Sequence, residues 1–129
     1  MQKNPVYKNL LKDIKSYLAE SITIAVKAGI AKNKIIVDPG IGFGKTLEDN
    51  LRLINKLSFL HTLQCPILIG VSRKSFIGNI LNLNEKDRIL GTAAAVAASV
   101  IQGANIVRVH DVKEMVQVVT LTDRIRHCT

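Results

Sequence analysis

Residues 35–45 read IIVDPGIGFGK, and this stretch sets the expectation for the whole chain. The β-branched residues at its start predict a short buried strand over residues 34–38. Pro39 ends that strand because it has no N–H to donate to a sheet. Alternating glycines then permit backbone angles closed to other residues, so the loop can lie close against a ligand. These glycines are Gly40, Gly42 and Gly44. Asp38, at the end of the strand, either binds that ligand or caps the amides of its own loop, and we favour the ligand.

Two nucleotide-binding motifs resemble part of this stretch, and neither fits it. Residues 40–46 (GIGFGKT) are similar to a Walker A loop, which needs four residues between its first glycine and its Gly-Lys pair. Only three residues intervene here. The dinucleotide fingerprint needs a different glycine spacing and an acid after the second strand, and the chain has neither. The sequence therefore favours another class of ligand.

Composition indicates a globular domain without a membrane segment. The chain has 129 residues, of which 47% are hydrophobic, enough for a sizeable core. No apolar run is long enough to cross a bilayer, and the N-terminus has no signal-peptide core. Cys65 and Cys128 lie far apart without a CxxC or histidine cluster. We therefore expect a cytoplasmic location, no disulfide between them, no membrane partner and no metal site in this chain.

The formal net charge of +8 permits three interpretations. Basic proteins bind nucleic acid or a small anion such as a diphosphate, or they simply carry solvated lysines on helix surfaces. The chain has three Phe, two Tyr and no Trp, so it offers few rings for stacking bases. No recognition-helix or zinc-finger pattern is present. We expect no nucleic-acid partner.

Apolar periodicity predicts a helix followed by three strand–helix units. Asn4 and Pro5 suit the start of the first helix, whose apolar stripe includes Tyr17, and Gly29 suits its end. Strands are predicted at residues 34–38, 67–71 and 106–110. Helices are predicted from the caps Thr46, Asn84 and Asp111 to His61, Gln102 and Arg126, with a short one at residues 76–81. This α/β alternation predicts a parallel sheet whose strands lie side by side under helices.

Polar residues follow each predicted strand, at the edge where α/β folds bind ligands. Residues 72–75 (Ser-Arg-Lys-Ser) lie where a strand meets a helix N-terminus, which favours an anion. We expect Ser75 to cap that helix and to hold a substrate carboxylate, and Lys74 to reach a polar ring or an anion. The alternative is that Arg73 and Lys74 are merely solvated and Ser75 is only a cap.

Arg108 and His110 are two residues apart in a strand, so their side chains share a face, with Val107 and Val109 on the other. We expect Arg108 to be buried and therefore to need an anionic partner. A structural acid could serve, but an arginine beside a histidine suits a diphosphate better. The other histidines are expected to lie on helix surfaces without a function: His61 and His127.

These stretches together resemble the dihydropteroate synthase family, folate-pathway enzymes inhibited by sulfonamides. The resemblance is carried by residues 38–45 (DPGIGFGK), 72–75 (SRKS) and 108–111 (RVHD), which occur in the family's order. It runs over essentially all of residues 1–129. It implies a transferase that joins 4-aminobenzoate to 6-hydroxymethyl-7,8-dihydropterin diphosphate and releases diphosphate. The pattern is specific as a set, although each stretch alone would be weak.

The resemblance also implies roles for individual residues. The pterin would contact Asp38, Gly42, Phe43, Gly70 and Lys74. The aminobenzoate would contact Phe43, Arg73 and Ser75. The diphosphate would be held by Arg108 and His110. Catalysis would rest on Lys74, Arg108 and His110.

The family's fold is a (β/α)₈ TIM barrel, which needs about 250 residues. We therefore expect residues 1–129 to form the C-terminal part of one barrel domain, with strands six to eight. The family's Mg²⁺ ligand would lie in the N-terminal half, and the family implies a homodimer. Three strands alone leave open edges and an uncovered face, so we expect the isolated chain to be marginally stable, to self-associate and to be inactive without an N-terminal half.

Two alternatives stay open from the sequence. One is another pterin-binding barrel, such as a methyltetrahydrofolate methyltransferase domain, although a methyl donor carries no diphosphate for the basic residues to hold. The other is a non-catalytic remnant that acts only by associating with another barrel protein.

Overall fold

A computed structural model describes residues 9–129 of the chain. Five α-helices and two short strands alternate along this part of the chain. They are α1 (Leu10–Lys27), α2 (Leu47–Asn55), β1 (Leu68–Ile69), α3 (Ser75–Leu81), α4 (Ile89–Ile101), β2 (Ile106–Val107) and α5 (Val112–Arg126). Tight 3₁₀ turns cover Lys32–Lys34, Leu57–Leu63 and Glu85–Asp87. No helix within residues 9–129 is long and apolar enough to cross a membrane.

Three parallel chain segments lie side by side, as the alternation predicted. In the centre, β1 pairs with β2, with Leu68 opposite Ile106. On the other side of β1, Val37 forms a parallel bridge with Ile67. The predicted first strand over residues 34–38 is therefore wrong in extent, because a 3₁₀ turn occupies its start and Pro39 cannot extend the ladder. The order of the segments is right.

The predicted start of the first helix, at Asn4 and Pro5, lies outside the described residues. In the described part α1 begins at Leu10, and the side chain of Asn9 accepts a hydrogen bond from the N–H of Lys12 at 3.2 Å. The buried residues of α1 are Leu10, Ile14 and Leu18. Tyr17, which the predicted stripe included, is 70% exposed. The apolar face of α1 is therefore narrower than the sequence pattern suggested.

Local spacing alone does not decide which of the predicted caps form. Thr46 and Asp49 form the predicted capping box, with hydrogen bonds of 3.1 and 3.2 Å. The α-helix ends at Asn55 and a 3₁₀ turn follows, so a single helix as far as His61 is wrong. Asn84 makes no side-chain cap, and the helix predicted from it begins only at Ile89.

Two further predicted side-chain caps are wrong, each for its own reason. Ser75 is the first residue of α3, and the N-cap position belongs to Lys74. Asp111 stands at the N-cap of α5 without a side-chain cap, because its carboxylate binds Arg73 instead. Helix α5 still ends at Arg126, as predicted.

One face of the sheet is buried and the other is open. Residues that alternate along the first two segments are buried in the core: Val37, Ile67, Ile69 and Val71. Val107 and Val109 of the β2 segment are partly buried against the same core. On the opposite face Ile36 and Ile106 are exposed. The predicted stripe of α5 is also largely open: Met115 is buried, whereas Val112, Val116 and Ile125 are exposed. Helix α5 lies beyond β2 at the edge of the sheet, where nothing in residues 9–129 covers this stripe.

Candidate functional site

The glycine loop begins at Asp38, which is exposed at the end of the first segment. Its Oδ1 accepts a hydrogen bond from the N–H of Gly40 at 2.8 Å. The carboxylate therefore caps an amide of its own loop, which was one of the two roles weighed for it. Within residues 9–129, Oδ2 makes no hydrogen bond, so the same carboxylate can still accept one from a ligand.

The centre of the loop is fixed by a residue that sequence reasoning missed. Asn50, on α2, is only 3% exposed, and its Oδ1 accepts a hydrogen bond from the N–H of Gly42 at 2.8 Å. The available signal was an amide side chain on the apolar face of α2. Gly42 has a φ of +85°, and a Cβ there would lie 3.0 Å from Cδ of Lys74. Glycine is thus required both for the turn and for the close approach of Lys74.

Lys74 connects residues 72–75 to the glycine loop. Its Nζ donates to the carbonyl of Ile41 at 2.7 Å and lies 4.3 Å from the ring centroid of Phe43, a cation–π contact. Burial lowers the pKa of Lys74 below its usual range, and the charge of Arg108 lowers it further, while Asp38 opposes the change. Burial and the two charged side chains, Arg108 and Asp38, therefore act on one ammonium. Two of the predicted clusters meet here.

A second lysine, Lys45, braces the loop and was not predicted to do so. Its Nζ donates to the carbonyls of Gly40 and Phe43 at 2.8 and 3.1 Å. Burial lowers the pKa of Lys45, and Asp38 partly offsets this effect. The loop thus presents its carbonyl oxygens inward to two lysines, and this holds Phe43 beside Lys74.

Arg73 occupies a strained backbone position that several partners hold. Its φ is +56°, which is unusual for a residue other than glycine. The backbone N–H donates to Oγ1 of the buried Thr92 at 3.0 Å, and the carbonyl accepts from Nη1 of Arg88 at 2.8 Å. The guanidinium pairs with Asp111 at 2.8 Å. This hydrogen bond lowers the pKa of Asp111 and raises that of Arg73.

Arg108 lies on the open face of the sheet and is exposed, so the expectation that it is buried is wrong. The error arose because the open face was assumed to be covered. A Cβ at Gly70 would lie 2.9 Å from Nη2 of Arg108, so glycine leaves room for the guanidinium across the strand. Within residues 9–129 the guanidinium has no acidic partner. Val107 and Val109 pack on the other face, as predicted.

His110 shares the open face and is tied to β1's strand end. Its Nδ1 lies 2.7 Å from Oγ of Ser72, and its backbone N–H donates to the same oxygen at 3.1 Å. An open cavity of about 420 Å³ separates the polar groups. It is lined by Gly70, Ser72, Lys74, Arg108, Val109 and His110.

Five of the predicted site residues do not line this cavity. Three of them belong to the glycine loop beside it, Asp38, Gly42 and Phe43, and the other two are Ser75 and Arg73. Ser75 is exposed on the first turn of α3, and Arg73 directs its guanidinium to Asp111. His61 and His127 are exposed, as expected. In the part of the chain that the structure describes, no group of three His, Cys, Asp or Glu side chains is placed to hold a metal ion. The site is thus a basic cavity beside a glycine loop that carries a carboxylate.

The profile of the pterin binding enzyme family matches residues 1–110. The chain belongs to this family. Among curated relatives, the dihydropteroate synthase of Escherichia coli K12 is 42% identical over 95% of this chain. The dihydropteroate synthase of Bacillus subtilis is 47% identical over 91% of it. Both of these relatives are dihydropteroate synthases, the family that the sequence motifs resemble.

Solved structures agree in fold. A Yersinia pestis dihydropteroate synthase in a sulfonamide drug complex is 44% identical, with a TM-score of 0.94 over 97% of this chain. A Coxiella burnetii dihydropteroate synthase with pteroic acid is 37% identical, with a TM-score of 0.93 over 98% of it. This chain spans 44% of the E. coli relative and 46% of the Y. pestis structure, about half of each.

Proposed function

We propose that this chain supplies the C-terminal half of a dihydropteroate synthase barrel. The whole enzyme would condense 4-aminobenzoate with 6-hydroxymethyl-7,8-dihydropterin diphosphate to give 7,8-dihydropteroate and diphosphate. One observation carries the proposal: Lys74 lies between a carboxylate-bearing glycine loop and a cavity lined by Arg108 and His110. The identity of 42–49% to dihydropteroate synthases supports it.

The reaction breaks the C–O bond between the pterin's exocyclic methylene and the diphosphate. Negative charge builds on the departing oxygens, and the cations Lys74 and Arg108 and a donor from His110 stabilise it. The amine of aminobenzoate then forms the new C–N bond and loses a proton. No covalent nucleophile is required, which fits a cavity whose side chains are mostly hydrogen-bond donors.

The pterin would lie between the glycine loop and β1. Oδ2 of Asp38 can accept from the amino edge of the ring, and Lys74 can reach a ring acceptor. Gly42 and Gly70 leave room for close approach, as their tight contacts with Lys74 and Arg108 illustrate. The exposed ring of Phe43 would stack beside the aminobenzoate, with Ser75 near its carboxylate. Arg73 would lie beside the aminobenzoate, held in a fixed position by its ion pair with Asp111.

The open surfaces support a half barrel. One edge of the sheet ends at Val37 and the other at β2, and the face that carries Arg108 is uncovered. A groove of about 430 Å³ runs along β2 and α5, lined by apolar residues that include Val107 and Val116. An N-terminal half-barrel would cover these surfaces. We therefore expect the 129-residue chain to be inactive alone and to self-associate.

Our proposal extends to the metal, the oligomeric state and the location of the complete enzyme. The described residues do not fit a magnesium site, because no suitable cluster is present among them, so any Mg²⁺ ligands are assigned to sequence outside this chain. We propose a homodimer for the complete enzyme, by family resemblance. A cytoplasmic location is proposed because Cys65 and Cys128 are free.

The test is complementation with the N-terminal half of the E. coli relative. Co-purified halves should form dihydropteroate from the two substrates, and either half alone should not. Asp38→Asn and Arg108→Ala should each lower turnover by about 100-fold or more, since each removes a charge at the reacting centre. Arg124→Ala, on α5, is the matched control. A stable complex without turnover would instead favour the non-catalytic remnant, and a complex that uses methyltetrahydrofolate would favour the methyltransferase.

A further inference from the structure

Ser72 is buried at the end of β1's segment, and both of its recorded hydrogen bonds go to one residue. Its Oγ accepts from the backbone N–H of His110 at 3.1 Å and lies 2.7 Å from Nδ1 of the same residue. A hydroxyl has one hydrogen to donate and two lone pairs to accept with. The direction of the single Ser72 hydroxyl hydrogen therefore determines whether Nδ1 of His110 accepts or donates.

Among residues 9–129, Nδ1 of His110 is the only acceptor within hydrogen-bond distance of that hydroxyl. A buried hydroxyl without an acceptor costs free energy, so the hydrogen belongs on the line to Nδ1. Nδ1 of a neutral ring must then be unprotonated, and the ring proton sits on Nε2. The opposite tautomer would leave Oγ accepting two N–H groups, and its own hydrogen would have no acceptor among residues 9–129.

We propose that Ser72 is a positioning residue that fixes the tautomer of His110, so that the neutral ring donates from Nε2. His110 lines the same cavity as Lys74 and Arg108, which have donors and no acceptors. An Nε2–H adds a third donor for an anion, whereas a bare Nε2 would repel it. The anion we assign is the diphosphate of the proposed function, and only this last assignment rests on that proposal.

The tautomer can be measured without any substrate. Long-range nitrogen–proton spectra of the isotope-labelled chain, at a pH where imidazole is neutral, show which ring nitrogen carries the proton. A His110→Gln variant assigns the signals. The Nε2–H form is already the commoner one for a free histidine side chain, so the decisive result is the change on removing the hydroxyl.

Ser72→Ala should raise the share of the Nδ1–H form, and Ser72→Thr, which keeps a hydroxyl, should restore the original spectrum. Ser99→Ala is the matched control, because Ser99 is also buried but donates to the carbonyl of Ala95 in α4. An unchanged spectrum in Ser72→Ala would overturn the inference. If that variant fails to fold, the unmodified chain is compared with a free histidine side chain: a proton on Nδ1 overturns the inference, and a share of the Nε2–H form well above that of free histidine supports it.

Binding of inorganic diphosphate, followed by titration calorimetry, tests the assignment of the anion separately. Ser72→Ala should weaken it by roughly three- to ten-fold, about the worth of one hydrogen bond, and Ser99→Ala should not. A tautomer change without any diphosphate binding would leave the role of Ser72 standing and count against the proposed function. Diphosphate binding that Ser72→Ala does not weaken would overturn the claim that the Nε2 donor serves this anion.

Discussion

Lys74 is the residue at which the separate parts of the site meet. Its ammonium donates to the carbonyl of Ile41 and lies over the ring of Phe43. The charges of Arg108 and Asp38 both affect its pKa. A nearby cation lowers the pKa of a lysine, and a nearby carboxylate raises it. The two neighbours therefore act in opposite directions on one measurable quantity.

Substitution at these neighbours should move the pKa of Lys74 in opposite directions. Burial is the main reason that this pKa lies below 10.5, with Arg108 next. Arg108→Ala removes a lowering charge, so the pKa should rise toward 10.5. Asp38→Asn removes the opposing carboxylate, so it should fall further. Titration of the lysine side-chain signals by NMR measures both. Shifts in the same direction for the two variants would show that the three groups do not share one site.

At this scale the sequence located the polar residues near the strand ends better than it predicted their contacts. Asp38, Lys74, Arg108 and His110 were singled out because each lies at or near the end of a predicted strand, which is a local signal. The partnership of Asp111 with Arg73 was missed because the two residues lie 38 positions apart in the chain. That of Asn50 with Gly42 spans only eight positions, but it joins a helix to a loop whose path the sequence pattern does not specify. Arg108 was expected to be buried because the sequence does not reveal that its face of the sheet lies open.

At the scale of elements, α4 acts as the support for residues 72–75. Its first turns supply Arg88 and Thr92, which hold the carbonyl and the N–H of Arg73. Gly78 makes this possible, since a Cβ there would collide with the guanidinium of Arg88. The left-handed backbone at Arg73 is thus maintained from outside, and it sets the direction of the flanking residues Ser72 and Lys74.

Thr92→Val should destabilise the chain by about 1–3 kcal/mol, because the two side chains have nearly the same shape but valine leaves the N–H of Arg73 without an acceptor. Urea unfolding at matched protein concentration, followed by circular dichroism, measures this. Thr120→Val, at an exposed position of α5, is the control and should cost little. Equal losses in both variants would show that Thr92 does not support Arg73.

The helix caps show what a local sequence pattern can and cannot predict. Thr46 was a correct cap because its partner Asp49 is three residues away and no distant group competes for either. Asp111 has the same sequence signal, but Arg73 takes its carboxylate. Capping patterns therefore predict where a helix begins more reliably than how its first turn is bonded. The predicted order of helices and strands was correct because it depends on many apolar residues and not on one contact.

At the scale of the molecule, the main feature is the apolar surface that the described residues leave exposed. Val116 is 56% exposed and lines the groove between β2 and α5. An isolated globular chain seldom leaves an apolar groove beside an open strand edge, because both invite association. The chain spans about half of each relative, and the N-terminal half-barrel that we propose would cover these surfaces.

Val116→Lys should therefore reduce self-association of the 129-residue chain and also weaken its binding to an N-terminal half, because a charge in the groove must be desolvated when the groove is covered. Gln117→Lys places the same charge on the next residue of α5, which is exposed and does not line the groove, and it should leave both properties near those of the unmodified chain. Sedimentation velocity measures self-association, and pull-down of the E. coli half measures docking. If Val116→Lys and Gln117→Lys behaved alike in both assays, the groove would not be the docking surface. If Val116→Lys blocked self-association but left docking intact, the two processes would use different faces, and the half-barrel would have to join through the edge at Val37.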